Sequence, residues 1–196
     1  MPVVGAVLRG AGQIPVHREG GDAAQAFSSA VAAIEAGACI GIYPEGTLTR
    51  DPGLWPMVGK TGAARLALIT GAPLVPVAQW GPEQVLMPYG KRPHLLPRRT
   101  VHVVAGPPAD LDDLRDRPLD APTLVEATRR VMDDVTTLLE GLRGETRPEH
   151  PYDPREHGER AHGTPGESVR RAQRATVVAA RRRLAQARRL RARGRS

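Results

Sequence analysis

The segment Tyr43–Arg50, with the sequence YPEGTLTR, limits the possible folds of this 196-residue chain more than any other stretch. It follows the apolar run 38–42, whose length and composition predict a short buried strand. Pro44 ends that strand, and Gly46 permits backbone angles that other residues rarely adopt. A glutamate, two threonines and an arginine thus follow the C-terminal end of a strand, which is where α/β sheets bind ligands. The octet predicts a ligand site carried by an α/β fold.

Other segments show either helical periodicity or the composition of strands. The segments with helical periodicity are 23–36, 61–70 and 123–142. The segments with strand composition are 12–16, 74–78 and 100–105. Gly37 and Gly71 are placed to end the first two helices. Pro76 indicates an edge strand or a strand end, because proline cannot donate to a ladder. Strands that alternate with helices indicate an α/β sheet covered by helices.

The net charge of +7 is unevenly distributed along the chain. Residues 1–142 carry 13 basic and 15 acidic side chains, whereas residues 143–196 carry 15 basic and 6 acidic ones. We therefore predict a folded domain over 1–142, a disordered linker over 143–166 and an arginine-rich, partly helical tail over 167–196. Aromatic residues make up only 3% of the chain, so alanine, valine and leucine must build the core.

The cysteine count and the hydropathy pattern exclude several classes of protein. A single cysteine, Cys39, excludes an internal disulfide and offers no metal cluster. Because Cys39 lies in the apolar run, we expect a buried and inert thiol. No apolar stretch reaches the roughly 18 residues of a membrane-spanning helix, and the N-terminus has no signal-peptide pattern. These observations predict a cytoplasmic protein.

Three sequence blocks resemble those of the glycerolipid acyltransferases, the family of 1-acyl-glycerol-3-phosphate acyltransferase. Residues 43–50 resemble the family's third block, residues 12–18 its second block, and residues 72–77 its proline-bearing fourth block. The blocks occur in the family's order. The resemblance implies a glycerol-3-phosphate acyltransferase-like α/β fold, a mixed sheet flanked by helices and truncated at its N-terminal side. It also implies transfer of a fatty acyl group to 1-acyl-glycerol-3-phosphate, giving phosphatidate.

The resemblance further implies a phosphate-binding acceptor site. Arg18 of the second block would bind the acceptor's phosphate, because a guanidinium forms paired hydrogen bonds with phosphate oxygens. Glu45, Gly46 and Thr47 would lie beside it.

One position of the third block departs from the family pattern. Leu48 replaces an arginine, so either Arg50 or Lys60 would supply the missing charge. Lys60 precedes a predicted helix, whose N-terminus would attract phosphate. The alternative interpretation is that Lys60 belongs to a loop that leads into the helix and binds no phosphate.

The family's catalytic pair, a histidine followed five positions later by an aspartate, precedes the second block. Among the histidines, His17 alone has an aspartate, Asp22, at that spacing. We interpret the match as a coincidence, because Gly20 and Gly21 disfavour the helical turn that would bring the two side chains together. The chain is therefore expected to lack the family's first block, through a misassigned start codon or gene decay, and to be inactive by itself.

The expected partners are the lysophospholipid acceptor and an acyl donor, either acyl-coenzyme A or acyl-carrier protein, with no metal or bound cofactor. Eleven arginines between Arg170 and Arg195 could bind an anionic membrane surface, placing the protein at the inner face of the cell membrane. Nucleic acid is disfavoured because the tail has no aromatic residue beyond Tyr152 for base stacking. A solvated tail without a partner is a further alternative. In function, the alternative to an enzyme is a non-catalytic protein that binds lipid phosphate and anionic membranes.

Overall fold

The computed structural model describes residues 22–158 and 164–193. Six helices and two strands lie in these ranges. In chain order they are α1 (Asp22–Glu35), α2 (Gly62–Thr70), β1 (Val77–Trp80), α3 (Pro82–Val85), β2 (His102–Ala105), α4 (Asp112–Arg115), α5 (Ala121–Arg143) and α6 (Glu167–Arg193). None of the described helices is both long and apolar enough to cross a membrane.

The three helices predicted in the first 142 residues are confirmed, with ends that differ by at most two residues. Helix α2 ends at Gly71, whose N–H donates to the Ala67 carbonyl. Helix α5 begins after Asp120, whose carboxylate accepts from the Thr123 N–H at 3.0 Å and so satisfies one of the free amides of the first turn. Local capping and apolar periodicity therefore suffice to define these helices.

The described sheet has two antiparallel strands, β1 and β2, rather than the broader mixed sheet predicted. Their register pairs Val77 with Ala105 and Trp80 with His102. Both strands fall close to the predicted runs 74–78 and 100–105. Pro76 lies just before β1, so its expected position at a strand end is confirmed. The described part is thus a mixed structure of helices and a small two-stranded sheet.

The predicted strand 38–43 is wrong, because these residues form no strand in the structure. The prediction that Cys39 is buried is also wrong, since the thiol is exposed. A strand requires a ladder with a neighbour, and an apolar run is buried only where another element covers it. The predicted strand 12–16 lies outside the described residues.

Two clusters of small and aliphatic side chains form the core. One joins α2, α4 and α5, and its buried members are Ala64, Ala67, Leu111, Leu114 and Ala127. The other joins β1, α5 and the loop after the octet, and its buried members are Trp55, Ala78 and Leu139. The buried members of the first cluster are all alanine or leucine, as the scarcity of aromatic residues predicts, whereas Trp55 is one of the three buried members of the second cluster.

Arg143, at the end of α5, lies between the chain's two tryptophans. Its guanidinium carbon is 4.1 Å from the ring centroid of Trp55 and 4.3 Å from that of Trp80. The guanidinium also donates to the Gly53 carbonyl at 2.8 Å and pairs with the Glu145 carboxylate. The side chain is only 3% exposed. This stacking holds the loop after the octet, residues 51–57, against β1 and α5.

The chain after α5 packs more closely than a disordered linker would. Tyr152 forms a parallel bridge with Met57, and its carbonyl accepts from the Val58 N–H at 3.1 Å. Asp153 is buried and binds the guanidinium of Arg155. The described part of the predicted linker up to Gly158 thus lies against the domain, because backbone pairing with Met57 and Val58 compensates for its lack of apolar residues.

Helix α6, in the arginine-rich tail, also packs against the domain. Gln173 and Val177, one helical turn apart, are 1% and 0% exposed. Exposed arginines, among them Arg171, Arg174 and Arg182, occupy other positions of the helix. The tail therefore has a buried face as well as a basic surface. The boundaries at 142 and 166 stay predictions.

We expect Arg143→Ala to lower the free energy of unfolding by about 3 kcal/mol, because it removes two cation–π contacts, the hydrogen bond to the Gly53 carbonyl and one of the two arginine partners of Glu145. Urea denaturation would measure the change. The matched control is Arg129→Ala on the same helix, which breaks an exposed ion pair with Glu126 and should cost at most about 0.5 kcal/mol. Equal effects of the two substitutions would contradict a structural role for the stacked arginine.

Candidate functional site

The octet begins with a tight turn that brings it against the start of α2. The Gly46 N–H donates to the Tyr43 carbonyl at 3.0 Å, and Gly46 has φ of +66°. That angle lies in the left-handed region that glycine adopts without strain. The Lys60 N–H then donates to the Pro44 carbonyl at 2.8 Å. This bond joins the turn to the residues that precede α2, although they are more than ten positions apart in sequence.

Glu45 is held beneath this turn by a backbone amide. Its Oε2 accepts from the Met57 N–H at 3.0 Å. Burial raises the pKa of Glu45 to about 7, and the negative charge of Asp51 adds to the increase, while the Met57 hydrogen bond opposes it. Near neutral pH the carboxyl group is therefore close to half protonated and can either accept or donate a hydrogen bond.

Lys60 extends over Gly46 on the outside of the turn. A Cβ atom built on Gly46 would lie 3.0 Å from the Lys60 Nζ, so any larger residue at position 46 would displace the ammonium group. Lys60 is exposed and directly precedes Thr61, the N-cap residue of α2, which makes no side-chain capping bond. The first turn of α2 contains no acidic residue. An ammonium group and a helix N-terminus thus provide positive potential at the same place.

The two basic residues proposed as alternatives lie in different environments. Arg50 is 2% exposed, and its backbone N–H donates to the Met57 Sδ at 3.1 Å. Lys60 instead reaches solvent beside Gly46. Leu48 is 56% exposed, and its carbonyl accepts from the Tyr89 hydroxyl at 2.9 Å. Of the two cations, Lys60 is the one open to a solvent-borne anion.

The remaining predicted residues are only partly described. Thr47 is half-buried within the turn region. Arg18 and His17 lie outside the described residues, and Asp22 is the first residue of α1. In the described ranges, no group of three or more histidine, cysteine or carboxylate side chains is arranged to hold a metal ion.

Side-chain bonds across the loop 49–57 fix the amide that binds Glu45. The Thr49 hydroxyl donates to the Trp55 carbonyl at 2.7 Å, and the Asp51 Oδ1 accepts from the Trp55 N–H at 3.0 Å. Beyond the loop, a Cβ on Gly59 would lie 2.8 Å from the Met132 Cγ, so the chain approaches α5 too closely for a larger residue. The segment from Met57 to Lys60 is therefore positioned by the loop on one side and by α5 on the other.

Sequence reasoning missed the residues of α6 that hold this loop from behind. The Gln173 side-chain amide donates to the carbonyls of Thr49 and Asp51, at 2.9 and 3.2 Å. The Thr176 hydroxyl donates to the Pro52 carbonyl at 2.9 Å. A signal was present in the tail, because Gln173, Val177 and Ala180 follow helical spacing and interrupt the arginines. That uncharged stripe could have indicated a buried face.

We expect the raised pKa of Glu45 to make the protein less stable as pH rises from about 4.5 to about 7. Over that range the unfolded chain has already lost the proton that the native state retains, so deprotonation favours unfolding. The loss should amount to at most about 3 kcal/mol.

Urea denaturation at several pH values would measure this dependence, with Glu45→Gln as the matched variant. The glutamine cannot ionise, so this part of the pH dependence should disappear. A Glu45→Gln profile that parallels the parent between pH 4.5 and 7 would contradict the raised pKa.

Comparison with known proteins found one family match, which covers part of the chain. The model of the Acyltransferase family matches residues 1–80 of the 196-residue chain. No curated protein and no solved structure matches the chain. The matched stretch includes the octet, Lys60 and all of α2, so over residues 1–80 the chain resembles acyltransferases, and the remaining residues have no counterpart in that match.

Proposed function

We propose that the protein carries the acceptor site of an acyltransferase of phospholipid biosynthesis, an enzyme whose acceptor is 1-acyl-glycerol-3-phosphate and whose product is phosphatidate. The observation that carries the proposal is the placement of Glu45, Gly46 and Lys60 at the start of α2, inside the stretch that matches the acyltransferase family. This arrangement offers a positive charge, a helix N-terminus and a titratable carboxyl group to one small anionic ligand. A glycerol phosphate presents the complementary groups, namely a phosphate and a hydroxyl.

In this proposal Lys60 and the free amides of α2 bind the acceptor's phosphate. Gly46 has no side chain and so lets the Lys60 ammonium lie directly over the turn, where a Cβ atom would displace it. Arg18 would add paired hydrogen bonds, and the Thr47 hydroxyl would contribute another. Arg50 is buried and would support the turn rather than contact the ligand.

The proposed reaction joins the acceptor's free hydroxyl oxygen to the carbonyl carbon of an acyl thioester. The carbon–sulfur bond breaks, and the thiol of coenzyme A or acyl-carrier protein leaves with the proton that the hydroxyl loses. Glu45 would hydrogen-bond the acceptor, in the protonation state that its pKa of about 7 allows. Since the acceptor is a membrane lipid, we place the protein at the inner face of the cell membrane.

A base must remove the hydroxyl proton during this reaction. His17 and Asp22 are the histidine–aspartate pair of the chain with the family's spacing, and the glycines between them make them unsuited to the task. We therefore propose that residues 1–196 bind the acceptor without transferring the acyl group.

Substitution of Lys60 by alanine should weaken binding of a short-chain 1-acyl-glycerol-3-phosphate about tenfold, because it removes the exposed cation nearest the turn. Isothermal titration calorimetry on the full chain would measure this. The matched control is Arg129→Ala, which also removes one positive charge, from an exposed residue of α5 outside the matched stretch. If both variants lose affinity equally, the effect is one of net charge and the site is wrong.

Acyl transfer by the purified chain can be measured directly with radiolabelled acyl-coenzyme A or acyl-carrier protein. We expect acceptor binding without formation of phosphatidate. Phosphatidate formation that disappears in His17→Ala would show that the His17–Asp22 pair is catalytic and would contradict our interpretation of it.

A second candidate function is non-catalytic binding of lipid phosphate and of anionic membranes. The observation that favours it is the set of exposed arginines on α6. Both functions predict acceptor binding that depends on Lys60. They differ in that the enzyme requires a base within reach of the acceptor hydroxyl, so acyl transfer in any form of the protein would favour the enzyme.

A further inference from the structure

The connection between α3 and β2 exposes two adjacent leucines to solvent. Leu95 is 68% exposed and Leu96 is 83% exposed. Every residue from Gly90 to Arg98 is exposed as well. Exposed apolar side chains next to each other at the tip of a loop are a common feature of surfaces that contact another apolar phase.

Basic residues flank the two leucines on both sides. Lys91 and Arg92 precede them, and Arg98 and Arg99 follow them. The sequence contains no acidic residue between Glu83 and Asp110 to neutralise these charges. We refer to residues 91–99 as the basic loop. Its composition, a short aliphatic tip between cations, complements a surface that is apolar inside and anionic outside.

Hydrogen bonds hold the basic loop close to the candidate site. The His94 N–H donates to the Val85 carbonyl at 2.6 Å and closes the loop. Just before the loop, the Tyr89 hydroxyl donates to the carbonyl of Leu48 in the octet. The second bond joins the residues just before the basic loop to the octet, which contains Glu45.

The arginine-rich helix α6 reaches the base of the same loop. The Arg181 guanidinium donates to the Gln84 carbonyl at 2.8 Å, next to the Val85 carbonyl that closes the loop. The two most basic parts of the chain therefore adjoin one another.

We propose that the basic loop is a membrane contact in which Leu95 and Leu96 enter the outer part of an anionic bilayer. Lys91, Arg92 and Arg98 would contact the lipid phosphates, since long basic side chains keep their charge at the headgroup level while their stems lie along apolar surface. The loop has no phenylalanine, tyrosine or tryptophan on which bases could stack, and aliphatic tips suit lipid rather than nucleic acid. The inference does not depend on the proposed acyl transfer.

Sedimentation of the full chain with vesicles would test the proposal. The vesicles would contain phosphatidylcholine with or without one quarter phosphatidylglycerol. We expect binding to the anionic vesicles to fall about tenfold in the double variant Leu95→Ser, Leu96→Ser. The matched control is Val125→Ser on α5, where the valine is 60% exposed and the substitution should leave binding unchanged. A double variant that binds as tightly as the parent would overturn the proposal.

A second measurement detects insertion itself. The variant Leu96→Trp places an indole at the loop tip, and we expect its emission to shift to shorter wavelength and to be quenched by lipids brominated in their acyl chains. Unshifted emission on anionic vesicles to which the variant binds would overturn the proposal. Binding of duplex DNA to the same variants tests the alternative partner. If the double serine variant loses DNA binding and vesicle binding equally, the proposed membrane contact is also overturned.

Discussion

The stacking of Arg143 between Trp55 and Trp80 is the interaction on which the arrangement of the candidate site depends. It joins the end of α5, the end of β1 and the loop after the octet, and it does so in a chain with few aromatic residues. The same loop carries the Met57 amide that binds Glu45. Burial raises the pKa of that carboxyl group, and the loop's Met57 amide opposes the increase. Gln173 and Thr176 of α6 hold the loop from the opposite side, so an arginine-rich tail contributes to the geometry of a site more than a hundred residues earlier.

Local sequence signals were sufficient for the helices of nine residues or more, but not for the four-residue helices α3 and α4 or for the sheet. The ends of α2 and α5 could be predicted because capping residues act on neighbours within one turn. The run 38–43 has the composition of a buried strand, yet a ladder and burial depend on which elements lie beside it, and composition does not carry that information. Charge counting assigned Arg143 to the basic C-terminal region, because a count cannot distinguish a stacked arginine from a solvated one. For the same reason Gln173 was not identified as part of the loop's support.

The candidate site was easier to predict than its supports. Glu45, Gly46 and Lys60 could be singled out from the octet and from the residues before a helix, and the structure brings these three residues together. Arg50, by contrast, is buried. The sequence left open whether Arg50 or Lys60 supplies the positive charge. Arg18 and His17 stay predictions. The hydrogen bond between Tyr89 and Leu48 joins the residues just before the basic loop to the octet. If the basic loop contacts a membrane as proposed, the candidate site would therefore lie near the bilayer surface, where a lipid acceptor is available.

The central claim is that the turn at Gly46 and the start of α2 bind the phosphate of a lipid acceptor. Nitrogen-15 NMR of the full chain, titrated with short-chain 1-acyl-glycerol-3-phosphate and separately with the corresponding neutral monoacylglycerol, tests it most directly. The account predicts that the amides of Gly46, Lys60 and Gly62 show the largest chemical-shift changes, and that they do so only with the phosphorylated lipid. Equal changes with the neutral lipid, or no change at these three amides, would contradict it.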